Sequence, residues 1–262
     1  MRSLRDSWRL AVGTLTVLPV PPPLHVDRAV AGPAMLLAPL AALPLALLPL
    51  LAHLAHVALG MPPLLATALG VAGLALGSRG LHLDGLADTV DGLAASTDRE
   101  RALSVMRRGD VGPLGAAAVA LVLLVQAAAW SALVTSRTGT ALAVVAVLGS
   151  RHTLAWTCGP SFPAARPGGL GATVAGSVPR SWAGLGAGGL WVIGGLVLTL
   201  GAGGPSWHAW VATGAVVTVA VLAALGLSRR ARRRLGGTTG DVLGAAVEIG
   251  LAAALTVAAC LG

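Results

Sequence analysis

Three carboxylates, Asp84, Asp88 and Asp91, fall within the stretch HLDGLADTVDGL from His82 to Leu93. Their spacing puts all three on one face of a helix, where they repel each other unless something positive sits between them. The rise from Asp84 to Asp91 along such a helix is about 10 Å, enough to grip a diphosphate through a metal. Gly85 and Gly92 form a second, small-residue stripe beside the acids, with no bulk to block a ligand or another helix. The plain structural alternative is a helix start with capping acids. Caps, however, favour acids in one turn rather than two.

Two further segments carry groups suited to phosphate. In VMRRGDVGPLG, Val105 to Gly115, Arg107 and Arg108 precede Gly109-Asp110, and Gly112-Pro113 opens an apolar run. Adjacent arginines beside a helix start suit a phosphate clamp, or equally the positive flank of a membrane helix. In GGTTGDVLGAAVEIG, Gly236 to Gly250, glycines surround Thr238 and Thr239, and Asp241 opens a helix. That turn is either a simple N-cap or a close approach to a phosphate. Two more charges, Arg151 and Glu248, lie inside apolar runs. Both fall about 10 Å below the nearer interface, so each needs a partner or a wet cavity. We expect the two near each other, or both facing a pocket under the acidic motif.

The elements that position these groups follow from composition. The chain has 262 residues, 55% of them hydrophobic and only 11% charged, with a mean hydropathy of +0.82. These values exclude an ordinary soluble domain and point to an all-α, polytopic membrane bundle forming one membrane-embedded domain over residues 1–262. The net charge of +8 comes from arginines in loops between apolar runs. It therefore suits lipid heads and phosphorylated substrates rather than nucleic acid. Cys158 and Cys260 have no metal-binding spacing.

Met1 to Pro23 carries Arg2, Arg5 and Arg9 before an apolar run that ends in prolines. We read it as an uncleaved amphipathic segment at the interface. Residues 31–56 and 62–80 read as the first two spans, with kinks expected at Pro33, Pro39, Pro44 and Pro49. The acidic motif closes the second span in this reading. Further spans are expected at 114–135, 139–158, 182–202, 207–227 and 241–261, about seven in all. With the N-terminus inside, every one of the 18 arginines except Arg137 and Arg151 falls in an inside segment. That asymmetry predicts an acidic motif on the cytoplasmic side of the membrane. The run Arg229 to Arg234 needs no role beyond anchoring. The Gly-rich patch from Gly184 to Gly195 suits close helix packing. Oligomers are compatible with it, although a lone GxxxG-like pattern is weak evidence for dimerisation.

With these segments in place, the sequence resembles the cobalamin synthase family, the adenosylcobinamide-GDP ribazoletransferases. The resemblance rests on LTVLPVP (Leu15 to Pro21), HLDGLADTVDG (His82 to Gly92), RALSVMRRGDVGPLG (Arg101 to Gly115) and GGTTGDVLGA (Gly236 to Ala245), with ARPGGLG (Ala165 to Gly171) as a fifth piece. Arg108 and Asp110 stand in exchanged order relative to the family pattern. The resemblance implies an Mg²⁺-dependent membrane enzyme that joins adenosylcobinamide-GDP to α-ribazole, or its 5′-phosphate, and releases GMP. In that reading Asp84, Asp88 and Asp91 hold Mg²⁺ on the diphosphate. Asp91 is alternatively the acceptor of the attacking hydroxyl's proton. Arg107 and Arg108 stabilise charge on the transferred phosphoryl group, and Asp241 adds a ligand or positions the nucleophile. Gly85, Gly92, Arg151, Thr238, Thr239 and Glu248 are expected to border the substrate. Two rivals are a phosphotransferase using CDP-activated alcohols, whose DGxxAR element is broken here by Asp88, and a transporter. A transporter explains Arg151 and Glu248 but leaves the acidic motif without a role.

Overall fold

The computed structural model describes residues 2–201 and 206–261. The helices follow in order: α1 (Arg2–Leu15), α2 (Arg28–Leu36), α3 (Ala38–Ala41), α4 (Leu48–Leu59), α5 (Pro63–Gly77), α6 (Leu81–Ala95), α7 (Arg99–Val105), α8 (Pro113–Leu133), α9 (Arg137–Thr157), α10 (Gly169–Val174), α11 (Arg180–Gly201), α12 (Trp207–Leu235) and α13 (Gly240–Leu261). No strand occurs among the described residues, and the all-α membrane bundle is what the composition requires.

Four of these helices, α8, α11, α12 and α13, are long and apolar enough to cross a membrane, or up to five spans if the bent pair α5–α6 counts as one. The expectation of about seven spans is corrected for two physical reasons. The proline-rich region 31–56 does not form one kinked helix: it breaks into α2, α3, a 3₁₀ turn at Leu45–Leu47 and α4. Helix α9 has the length, but it carries Arg151, His152 and several hydroxyl residues through its interior.

Helices α9 and α13 form the centre, buried along most of their length. Trp130 of α8 and Leu142, Leu251 and Leu255 pack into the main core. The outer helices turn Leu121, Leu124, Ile193, Leu196 and Leu200 outward. Such an apolar outer surface needs lipid rather than water around it.

The second correction concerns the acidic motif. It does not close the span of α5. The chain turns through 87° between α5 and α6, with Arg79 and Gly80 both in the left-handed region at φ 58° and 69°. Gly80 adopts that conformation without the steric cost that Arg79 bears. The motif is therefore a separate helix, set across the direction of the span.

The N-terminal segment is the expected amphipathic helix, and it packs onto the protein as well. Leu10, Ala11, Val12 and Leu15 of α1 are buried with Val30, Ala31, Ala34 and Met35 of α2. Past α1, the Val17 N–H donates to the carbonyl of Gly77 at 2.8 Å, tying the LPVP segment to the end of α5.

The arginine-bearing loops meet at one end of the bundle. Arg99 donates to the carbonyls of Leu235 and Ala165, at 2.8 and 2.7 Å. Arg234 donates to the carbonyls of Leu93 and Ser96, at 3.3 and 2.8 Å, where α6 ends and its carbonyls need partners. Part of the Arg229 to Arg234 run is therefore built into the fold and does more than anchor.

Candidate active site

The site begins where α6 crosses α13. A β-carbon on Gly85 would lie 2.6 Å from the backbone oxygen of Asp241, and one on Gly244 would lie 3.1 Å from the Cα of His82. These two glycines let the backbones touch. Asp84 and Asp88 of α6 are thereby brought beside Asp241 of α13. Gly92 is closed in the same way, by the side chain of Met106 beyond α7. Gly85 and Gly92 thus serve helix packing, which corrects the expectation that they leave an open face for substrate.

Beside this crossing, two loops are paired edge to edge. Ala164 and Thr238 form a parallel bridge. The Ala165 N–H donates to the Thr238 carbonyl and the Thr238 N–H to the Pro163 carbonyl, both at 2.8 Å. Gly171 lies against Thr239 and Gly240, with room for no β-carbon. Thr238 is buried and holds this bridge rather than facing a ligand. Thr239 caps α13: its hydroxyl accepts from the Val242 N–H at 3.2 Å and donates to Asp241 Oδ2 at 3.1 Å.

The loop pairing delivers a residue that the sequence reading did not select. The Arg166 Nη2 group reaches Asp241 Oδ2 at 3.5 Å, and its charge is felt at Asp88. Its Nη1 is buried without a hydrogen-bond partner. A 3.5 Å contact is long for a charge-assisted pair, and a free donor remains beside it. The arginine is thus arranged to accept another anion. Its only sequence signal is membership of the ARPGGLG piece.

Asp84 is exposed, and Asp88 and Asp91 are partly buried. Burial, and then the charges of Asp84, Asp241 and Asp91, raise the Asp88 carboxyl from 3.8 to about 6. Crowded carboxylates of this kind favour a cation between them. Among the described residues no group of three His, Cys, Asp or Glu side chains could hold a metal ion by itself.

Asp91 is employed differently from its neighbours. Its Oδ2 accepts from the Gly112 N–H at 2.7 Å and its Oδ1 from the Gly115 N–H at 2.8 Å. These are orphan donors at the start of α8, and a carboxylate there also meets the positive end of the helix dipole. A β-carbon on Gly112 would lie 2.6 Å from Asp91 Oδ1, which explains the glycine. The bond pair fastens the RRGDVGPLG segment to α6. Arg107 and Arg108 stand in the turn between, exposed. They lie at the same end as the acids, with no hydrogen bond or ion pair to them among the described residues.

Arg151 and Glu248 are both buried, at 1% and 6% exposure. Glu248 Oε2 accepts from Gln126 Nε2 at 2.8 Å, and its Oε1 lies 3.7 Å from His82 Nδ1. Arg151 donates to Ser150 Oγ at 2.8 Å. The two charges are near enough to act on each other, as expected, but they form an interior polar layer beneath α6. They do not border an open substrate space.

Between these layers lies a recess of about 180 Å³, with Asp84 and Asp241 on its rim and Leu15, Met35, Leu154 and Val174 among its walls. The site therefore offers acids and a guanidinium for a phosphate-metal unit, beside an apolar recess that α1 helps to enclose.

Comparison with known proteins adds to this geometry. A match to the family described as cobalamin-5-phosphate synthase spans residues 7–259. A protein from Nocardioides sp. (strain ATCC BAA-499 / JS614) named adenosylcobinamide-GDP ribazoletransferase is 49% identical over 96% of this chain and 97% of its own length. One of the same name from Frankia casuarinae is 41% identical over 96% of this chain and 93% of its own. Another, from Pseudomonas putida, is 38% identical over 58% of this chain and 57% of its own. No solved structure matches.

Proposed function

The chain belongs to the cobalamin-5-phosphate synthase family, and from that premise we propose that it is an Mg²⁺-dependent adenosylcobinamide-GDP ribazoletransferase of the bacterial inner membrane. The reaction joins adenosylcobinamide-GDP to α-ribazole, or its 5′-phosphate, and releases GMP. The printed names of the relatives support the transfer. The distribution of arginines supports a cytoplasmic site. The CDP-alcohol and transporter alternatives are not favoured, since neither accounts for the family match.

The observation that carries the mechanism is the meeting of Asp84 and Asp88 with Asp241 and Arg166. The aspartates would hold Mg²⁺ against the substrate diphosphate. When bound, the metal would supply charge neutralisation for the leaving GMP. Arg166 supplies a fixed positive group for a non-bridging phosphate oxygen, with its unpartnered Nη1 as donor. Thr239 orients Asp241 through its hydroxyl. Asp241 keeps one carboxylate oxygen clear of that bond, and it is the better placed acceptor for the proton of the attacking hydroxyl. Asp91, proposed from the sequence for that role, already has both oxygens engaged by backbone N–H groups. The recess beside Asp84 and Asp241 takes an apolar part of a substrate and keeps water from it. The test is GMP release by the purified chain in detergent with both substrates, with Mg²⁺ present or removed by chelation. Release that persists without any divalent ion overturns the metal role.

A further inference from the structure

A second cavity, of about 550 Å³, lies at the arginine-rich end of the bundle and shares no lining residue with the recess that holds Asp84 and Asp241. Arg180 of α11 and Arg229, Arg232 and Arg233 of α12 line it, with Trp156 and Phe162 among its other walls. No carboxylate forms an ion pair with any of the four arginines among the described residues. Ser161 holds two of them in place: its hydroxyl accepts from Arg180 Nη2, and its carbonyl accepts from Arg232 Nη1 at 2.9 Å. Arg229 and Arg233 stand one turn apart on one face of α12. The indole N–H of Trp156 is buried and has no acceptor. Four converging cations and an unmet donor call for an anion rich in acceptor oxygens, and guanidinium matches phosphate in shape as well as charge.

The surroundings select the kind of anion. Two turns before Arg229 and on the same face of α12, Leu222 is exposed, and Leu225 between them lines the cavity. An apolar strip thus runs away from the polar cavity along α12, into the depth of the bilayer. Charged head and apolar tail are matched in one continuous site.

We propose that this cavity binds the phosphate headgroup of an anionic phospholipid, with its acyl chains along α12. A free phosphate ester shares the headgroup chemistry but leaves the apolar strip without an occupant.

The full chain, purified in neutral detergent, is titrated with phosphatidylglycerol, diphosphatidylglycerol or phosphatidylcholine, and the thermal midpoint and lipid retained in native mass spectra are followed. Anionic lipids are expected to raise the midpoint and to be retained, with phosphatidylcholine inert. The double variant Arg229→Gln/Arg233→Gln is expected to weaken anionic-lipid binding at least tenfold, with Arg101→Gln, an exposed cation outside the cavity, unchanged. If the double variant fails to fold, each single variant carries the same expectation in a smaller degree. Wild-type lipid affinity in the Arg229 and Arg233 variants overturns the site. Displacement of the lipid by millimolar GMP or inorganic phosphate overturns the assignment to lipid in favour of a soluble phosphate ester.

Discussion

Arg166 and Asp241 meet at 3.5 Å although 75 residues separate them, one on a loop and the other in the first turn of α13. The pairing is made by backbone, through the bridge between Ala164 and Thr238. It places a guanidinium over a group of acids that would otherwise only repel. We expect Arg166→Ala to lower the rate of GMP release by a hundredfold or more, in line with the removal of one charge-stabilising donor. Arg166→Lys should recover only part, because it keeps the charge and loses the fork. Near-normal turnover by Arg166→Ala would remove the residue from the site.

Asp84→Asn and Asp88→Asn should each abolish turnover while the protein still inserts and runs as a folded species in size exclusion. Both side chains lie at the rim rather than in the core, so their loss costs the fold little. Wild-type GMP release by either variant would refute the metal role.

The crowding at Asp88 makes metal binding depend on pH. Its carboxyl is raised from 3.8 to about 6 in the folded chain. A raised carboxyl pKa means that the metal-free native state holds the proton more tightly than the unfolded chain. Its contribution to stability is complete below 3.8 and is lost as pH rises through about 6. Saturating Mg²⁺ should remove that loss, and the Mg²⁺ concentration for half-maximal activity should climb as pH falls below about 6. A requirement for Mg²⁺ that stays flat from about pH 5 to 7, the range in which a carboxyl at about 6 titrates, would show that this carboxylate does not meet the ion.

Asp91 should behave as a structural carboxylate. Its two bonds at the start of α8 are charge-assisted, each worth about 1.5–3 kcal/mol. Asp91→Ala should therefore lower the thermal midpoint, whereas Asp91→Asn, which keeps one acceptor oxygen, should lower it less. If Asp91 were instead the proton acceptor, Asp91→Asn would abolish turnover with the midpoint unchanged.

Gly85→Ala tests the crossing that builds the site. The added β-carbon would lie 2.6 Å from the Asp241 backbone oxygen, so α6 and α13 must separate. Overpacking of this kind costs about 1–3 kcal/mol, and here it also moves Asp84 and Asp88 away from Asp241. Activity should fall by more than the loss of stability alone explains, measured as turnover per folded molecule at a temperature well below unfolding.

Composition and hydropathy were enough for the all-α membrane bundle, because backbone groups in lipid have no partners outside the helix. Local spacing was enough to put Asp84 and Asp88 side by side, since residues four apart share a helical face whatever the helix packs against. Arg166 had no such local signature. It lies 78 residues from Asp88 and becomes a neighbour only when the Ala164–Thr238 bridge folds the loop over α6. Asp91 looked equivalent to Asp88 in sequence, and only the start of α8, brought against it in three dimensions, gave its oxygens other work. The 87° corner after α5 was likewise hidden, since Gly77-Ser78-Arg79-Gly80 marks a break in the apolar run but not the angle through which the chain turns there. Periodicity reports which residues share a face. Which partner covers that face depends on loop pairing and on glycines that let two backbones touch, and those are properties of the whole packed chain.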